Sequence, residues 1–574
     1  MMAGGEKVMP LDEAVRRYVR PGCHLHLGYG DARPNAAVME ILRQFHGTAP
    51  AFTLSSAGIT GLQHTMIAER LVAHLITSFV GESYPAPSPS RIFREALHRG
   101  ELTVENWSLW TYVARLAAGA LGLPFFPVNS LRGSGMEDEH AGREFDVVQA
   151  RFGDCVASAG VVSALRPDVA VLHGAAADEQ GNVILAAPYG EAHWGALAAR
   201  DGVIATVEKV VPAEVIRAHS TLPRVPGHVV RAVVETPLGS HPYSLFRPGL
   251  DGVAGYTQDA GFIARLQSAL KDPAHCSAWL DEWVYKVCSH QGYLHRIGPD
   301  TIARLRGAAL ADAWTFEPLT DDVPVAGPGH QLVAAAARLA EQHVRDQGLQ
   351  AILAGIGLAN LAAWMAHGRL LADGLPVELM AEIGMYGYQP RPGDPFVFAN
   401  RNLHASTELT DIARVLGLYV GGPATRCLGL IGAAQVDRRG NVNSTRAADG
   451  GYLLGSGGAN DIASAAQDVI VIARHAPDRL VEQVPFVTSP GDRVSAIVTT
   501  EGVLTRRAGE FVLTSYFARS GTTERDRVAA IRAATGWDLR IAQELTAEPE
   551  PSPSDLRTLS RYDPHGAFLE GGRR

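Results

Sequence analysis

Cysteine is scarce in this chain: five residues in 574 (Cys23, Cys155, Cys276, Cys288 and Cys427), odd in number and far apart. No two have metal-ligand spacing, which favours a reduced, cytoplasmic protein without structural zinc. No basic run stands out and the net charge is a mild −9, so a nucleic-acid partner is not expected. Long apolar runs are missing as well. The most apolar segment, Val113 to Val128, is broken by Arg115, Gly119, Gly122, Pro124 and Pro127, too often for it to span a bilayer. Met1 to Val15 carries Glu6, Lys7, Asp12 and Glu13 without an apolar centre, which is not the pattern of a signal peptide. The chain has no G-x-S-x-G nucleophile elbow and no G-K-S/T phosphate loop, so those two routes to hydrolysis and nucleotide binding are not expected.

Against these absences, 46% of the residues are hydrophobic and 19% charged, a balance suited to a large buried core. The length points to more than one domain. Short apolar runs such as Val169 to His173, Val203 to Val207, Ala351 to Ala354 and Asp468 to Ile472 read as buried strands. Between them lie stretches of helical period at Asn35 to Phe45, Ile92 to Arg99, Gln331 to Gln347 and Glu524 to Thr535. Such alternation predicts α/β architecture with mainly parallel sheets.

The two halves follow one plan. His24 to Leu27 runs into Gly28-Tyr29-Gly30 and then a helix; Ala351 to Ala354 runs into Gly355-Ile356-Gly357 and then a helix. Later, Gly181-Asn182 and Gly440-Asn441 each follow a strand and read as tight hairpin turns needing positive φ. The matching order of elements predicts two related open-sheet α/β domains in tandem, residues 1–312 and 330–545. They are joined by a Pro/Gly-rich linker at 313–329 and followed by an extended polar tail at 546–574.

The chemistry centres on Glu382, in Ala381-Glu382-Ile383-Gly384-Met385-Tyr386-Gly387, after the mostly apolar run Leu375 to Met380. A strand end is stiff enough to aim a carboxylate, and the glycines let substrate approach the backbone. A carboxylate so held serves as acid, base or nucleophile; the ordinary alternative is a solvated loop acid. Gly28-x-Gly30 and Gly355-x-Gly357 open helices whose amides could receive an anion or phosphate. Arg33 and Asn360 occupy the third positions of a dinucleotide fingerprint, so neither segment completes it. The run Gly455 to Ala463 precedes a further helix. Its amides either converge on developing negative charge, as an oxyanion hole requires, or merely pack closely. His24 and His26 face one way on a strand, a spacing shared by metal pairs and by packed histidines, and no third ligand stands nearby. Cys23 and Cys155 have no visible catalytic partner.

Taken together, these segments resemble one family. Ala381-Glu382-Ile383-Gly384 with Gly387, Pro390 and Gly393-Asp394-Pro395 is similar to the Glu-x-Gly segment in the β subunit of glutaconate CoA-transferase. Gly457 to Asp461 resembles that family's glycine loop, and Gln435 to Asn441 its Gln-Val-Asp-x-x-Gly-Asn turn. Leu121 to Met136 and Val207 to Val211 resemble the α subunit. The likeness runs over roughly residues 10 to 560 in the order α then β.

The resemblance to class I CoA-transferases implies two related α/β domains with the active site between them and Glu382 as the catalytic carboxylate. It implies Gly457, Gly458, Ala459, Asn460 and Gln435 at the oxyanion and CoA site, with Gly28, Gly30, Gly355 and Gly357 as anion or CoA loops. Ser130, Arg132 and Ser134 would face the acyl group, Arg132 holding a second carboxylate. Glu105 lies near the acidic group of related hydrolases. The expected partners are an acyl-CoA and a carboxylic acid, in a homodimer or homotetramer, with no metal, redox cofactor, nucleic acid or membrane. Relatives that hydrolyse or decarboxylate acyl-CoA or open rings, and a silent acyl-CoA-binding homologue, are the alternatives; an intact Glu382 favours transfer.

Overall fold

A computed structural model describes residues 7–84, 86–222, 224–246, 249–319 and 323–569. Residues 1–6 of the N-terminal reading, 320–322 of the expected linker and 570–574 of the expected tail lie outside the described residues.

Two large sheets organise the chain, one from each half. In the first, seven parallel strands run in the spatial order Val230–Glu235, Gly202–Val210, Val169–Ala177, His24–Leu27 (β1), Phe52–Ser55, Val72–Thr77 and Thr103–Asn106. Two short antiparallel strands extend it beside Val169–Ala177. In the second, five parallel strands run Val494–Thr499, Asp468–Ala473, Cys427–Gly432, Ala351–Ala354 (β2) and Glu378–Ala381 (β3). All nine residues of Val169–Ala177 and all six of Asp468–Ala473 are buried, as strands covered on both faces must be.

The expected internal repeat is visible as topology. In each half the first strand of the sheet (β1 or β2) lies between the next parallel strand and the later ones. Each therefore sits where the winding reverses, the place where open α/β sheets bind ligands beyond the strands' carboxyl ends. The two Gly-Asn turns repeat bond for bond. Asn182 donates its backbone and side-chain amides to Asp178 (both 2.8 Å), and Asn441 does so to Asp437 (3.0 and 3.1 Å). Gly181 and Gly440 have φ of +88° and +84°, which favours glycine at both turns.

One feature differs from the sequence expectation. The stretch expected as an extended tail contains the end of strand Arg540–Ala547, which pairs with Glu510–Tyr516, and the helix Pro553–Tyr562. Ser552 and Asp555 form a capping box and Pro553 occupies the first turn, so the prolines that suggested extended chain are partly a helix start. Leu559 is fully buried. Residues 260–308 add four helices to the first half, Ala260–Ala269, Pro273–Leu280, His290–Ile297 and Pro299–Ala308.

The halves are joined by backbone bonds and by shared apolar packing. Trp107, Tyr112 and Leu116 of the first half share a buried cluster with Leu416, Ile462 and Val471 of the second.

Candidate active site

Glu382 begins the turn between β3 and the antiparallel strand Met385–Tyr386. The turn closes at Gly384, whose φ is +126° and where a Cβ would lie 2.1 Å from the Thr410 carbonyl oxygen. Only glycine satisfies both conditions. Thr410 N–H donates to Gly384 O (2.7 Å), Tyr189 N–H to Thr410 O (2.8 Å), Gly190 N–H to Ile383 O (3.3 Å) and Ile412 N–H to Gly190 O (3.1 Å). The first half thus helps to hold the turn that carries the carboxylate.

The opposite side is the glycine run before the helix Ala459–Ala465 (α1). Gly457 has φ +51°; its N–H donates to Ser78 O (3.0 Å) and its carbonyl accepts from Leu109 N–H (2.9 Å). Ala459 N–H is used by Ser456 O (3.1 Å), and Asn460 N–H by Ser456 Oγ (3.3 Å). Of these amides it is Gly458 that donates to the Glu382 carboxylate. The absence of a side chain leaves the carboxylate its place, since a Cβ there would sit 2.4 Å from Glu382 Oε2 and the carboxylate would have to turn away.

Asp461, on the first turn of α1, has no role in the sequence expectation. Its carboxylate accepts from Ser108 Oγ (2.6 Å) and Trp110 N–H (2.9 Å), with further bonds from Ser130 and the Leu109 amide. It therefore sits at the amide-rich start of helix Leu109–Leu121 in the other half. Burial raises its pKa to about 6 against those bonds. Burial first, and the Asp461 charge second, raise Glu382 to about 7, opposed by the Gly458 amide.

The first half supplies Tyr29, Arg33 and Glu191. Glu191 is fully buried and accepts from Tyr29 N–H (3.1 Å) and Ala57 N–H (3.2 Å). Burial pushes its pKa up to about 8 despite these amides and Arg33. The Tyr29 phenol, also raised by burial, feels Arg33, Glu382 and Glu191. Half-buried Tyr29, Tyr84 and Phe246 from this half pack against the buried core of the other, as do its own Ile356 and Leu358.

The other expected residues take varied places. Asn460 bridges the halves, accepting from Leu131 N–H and donating to Thr488 O (both 2.9 Å). Gln435 lies in a separate small sheet, its amide bonded to Asp478 O (3.0 Å) and Asn443 Nδ2 (2.9 Å). Gly28 and Gly30 pack closely, a Cβ at Gly30 falling 2.9 Å from Pro188 O. Gly357, at φ +120°, faces open space, with no atom within 4 Å of where a Cβ would lie, and precedes helix Leu358–Ala372; a Cβ on Gly355 would lie in ordinary contact with Leu430 O and Gly432 N (both 3.9 Å). Ser130 bonds Asp461, Ser134 caps the helix Gly135–His140, and Arg132 between them is exposed.

Glu105 is engaged by His74 (3.0 Å), Arg115 (3.1 Å) and Trp107 Nε1 (3.3 Å). Against burial, which raises it, these partners hold its pKa at about 2. His24 bonds Ser55 Oγ (2.8 Å) and His26 bonds the Tyr112 hydroxyl (3.1 Å); burial lowers both, to about 4 and about 3. Asp461 had a readable signal in lying four residues after Gly457, but Glu191 had none, because its partners come from residues 29 and 57.

Residues 8–236 match the coenzyme A transferase family. The chain is 32% identical over 321 residues to one subunit of glutaconate CoA-transferase from Acidaminococcus fermentans, covering 52% of this chain and 94% of that one. It is 28% identical over 260 residues to one subunit of 3-oxoadipate CoA-transferase from Pseudomonas knackmussii, covering 42% of this chain and 94% of that one. The acyl-CoA transferase YdiF of E. coli O157:H7, solved as a thioester complex with CoA, shares the fold over 95% of both chains, with TM-score 0.64 at 16% identity.

Proposed function

Because the chain belongs to the coenzyme A transferase family, we propose that it moves CoA from an acyl-CoA to a carboxylic acid through a covalent thioester on Glu382. The observation that carries this is a half-buried carboxylate at a strand end, set against Gly458 and flanked by residues of both halves. The acid is taken to be a dicarboxylate, since two relatives are named for glutaconate and 3-oxoadipate, both dicarboxylic acids.

A Glu382 carboxylate oxygen attacks the donor thioester carbonyl, and the CoA thiolate leaves from the tetrahedral adduct. The product is a mixed anhydride of the acyl group and Glu382. The thiolate then attacks the Glu382 carbonyl carbon and expels the donor's acid, leaving a glutamyl-CoA thioester. An incoming carboxylate reverses both steps: it displaces the thiolate to form a new anhydride, and the thiolate takes the new acyl group. Glu382 is released as the carboxylate, and no net oxidation or proton is involved.

Burial assists twice. It raises the basicity, and with it the nucleophilicity, of the carboxylate, and it keeps water from the anhydride and thioester. The Gly458 amide is the donor placed to steady the oxyanion that grows on Glu382 when its carbonyl is attacked.

Incubation with acyl-CoA followed by hydroxylamine or borohydride, and peptide mass analysis, is expected to mark Glu382. Glu382→Ala should lose the mark and exchange on the order of 10⁴-fold or more. CoA release that proceeds equally with no acceptor acid would instead identify a hydrolase.

A further inference from the structure

Asp411 of the second half stands where the Glu382 turn meets the first half. Thr410, before it, bonds Gly384 (2.7 Å) and Tyr189 (2.8 Å), and Ile412, after it, bonds Gly190 (3.1 Å). Gly190 in turn donates to Ile383 O (3.3 Å), in the residue that follows Glu382. Gly190 has φ +54°, and a Cβ there would lie 1.8 Å from Tyr29 O, so only glycine fits this junction.

The Asp411 carboxylate reaches across the boundary. Its Oδ2 accepts from His193 Nε2 (3.0 Å) and Trp194 Nε1 (3.3 Å), both on the short helix Ala192–Ala198 that follows Glu191. Its Oδ1 accepts from Arg414 N–H (2.7 Å), as a capping acid does, at the start of the π-helix Ala413–Val420. Helices of this wide type are rare and recur at functional sites. This one carries Leu416, whose Cδ1 lies 3.4 Å from the point where a Gly458 Cβ would stand, beside Glu382 Oε2. One carboxylate therefore ties the first half to the catalytic turn on one side and to the wall of the site on the other.

Shared apolar packing already holds the halves together, but such contact is non-directional. Hydrogen bonds to a carboxylate fix direction as well as distance. The side chains of His193 and Asp411 are 21% and 14% exposed, so solvent screens this bond less than it does a surface pair. Burial opposes the charge on Asp411, and the His193 bond, first among the influences that favour it, keeps its pKa below the ordinary aspartate value. Attack on a thioester needs the nucleophile placed to within about half an ångström.

We propose that Asp411, gripped by His193 and Trp194, is a positioning residue that sets how the Glu382 turn presents its carboxylate to the thioester. The inference rests on the transferase reading of Glu382 and adds the inter-half bond that fixes the register of that turn.

The test follows exchange from acetyl-CoA to glutarate in the wild-type chain, Asp411→Asn, His193→Ala, their double variant and His193→Gln. Asp411→Asn keeps an acceptor for Arg414 but turns an amide N–H toward His193 and Trp194, so it breaks the inter-half bond alone. It and His193→Ala are each expected to lower kcat about 10-fold or more, with KM for acetyl-CoA within about threefold of wild type. The double variant should lose no more than the worse single, since both remove one bond. His193→Gln, whose amide still donates, should recover most of kcat and carries the test if another variant does not fold. In single turnovers with acetyl-CoA in excess, the final fraction of Glu382 marked by hydroxylamine should match wild type while its rate of marking falls. A smaller fraction marked at the wild-type rate would reduce the bond to a brace of the fold and overturn the positioning role, as would additive losses or an unchanged kcat. A wild-type protein that exchanges no acid and leaves Glu382 unmarked by acetyl-CoA would fail at the transferase reading instead.

Discussion

At Glu382 opposing influences act on one carboxyl group. Burial and the nearby Asp461 favour its protonated form, while the Gly458 amide favours the charged form. The result, a pKa raised from 4.5 to about 7, places its ionisation at the working pH of most enzymes. Attack needs the carboxylate, so kcat/KM is expected to fall as pH drops through about 7. Asp461→Asn removes the like charge and lowers the Glu382 pKa, so the acidic limb should move to lower pH. A pH profile of wild type and variant checks this; a limb that stays in place would mean burial alone sets the value. The stability sign runs the other way. A carboxyl raised on folding contributes fully below pH 4.5 and loses that contribution as pH rises through about 7. Catalytic competence and fold stability are therefore drawn in opposite directions at this residue.

Between elements, the two halves use one arrangement with the partners exchanged. In the first, helix Ala192–Ala198 begins at Glu191, whose carboxylate takes the Ala57 amide beyond strand Phe52–Ser55. In the second, helix α1 begins at Gly458, whose amide meets the carboxylate beyond β3. The acid has moved from helix cap to strand end, and the glycine left at the cap gives it room. Gly458→Ala puts a Cβ within 2.4 Å of Glu382 Oε2, so the carboxylate must turn away. A displacement of that order is expected to cost about 10²-fold in kcat. The melting temperature should stay nearly constant, because Gly458 has φ −83°, open to any residue. Steady-state kinetics beside a thermal melt will separate the two effects. Local elements of this kind were partly legible. The Gly-Asn turns could be read because their Asp, Gly and Asn partners lie within five residues. The helix Pro553–Tyr562 was obscured because the prolines before it also suit extended chain, although Ser552-x-x-Asp555 was the signal for its start.

For the whole molecule, the site depends on contacts from one half to the other. Ser108 and Trp110 hold Asp461, Gly190 and Tyr189 hold the Glu382 turn, and Arg446 pairs with Glu139 across the same boundary. Relatives carry comparable halves as separate subunits. Residues 1–312 and 330–574 produced as separate chains are therefore expected to be inactive alone and to recover exchange on co-expression. Activity in either piece alone would show that the site is not shared. The sequence by itself determined the α/β class, the duplicated plan and the candidate carboxylate, because strand burial, turn glycines and a strand-end acid are written in neighbouring residues. Only the tertiary structure decided that one amide of the glycine run meets Glu382, that Asp461 stands beside it and that Glu191 is buried against the amides of residues 29 and 57. Each of those depends on residues tens to hundreds of positions apart, and their charges become strong only once folding has removed the water between them.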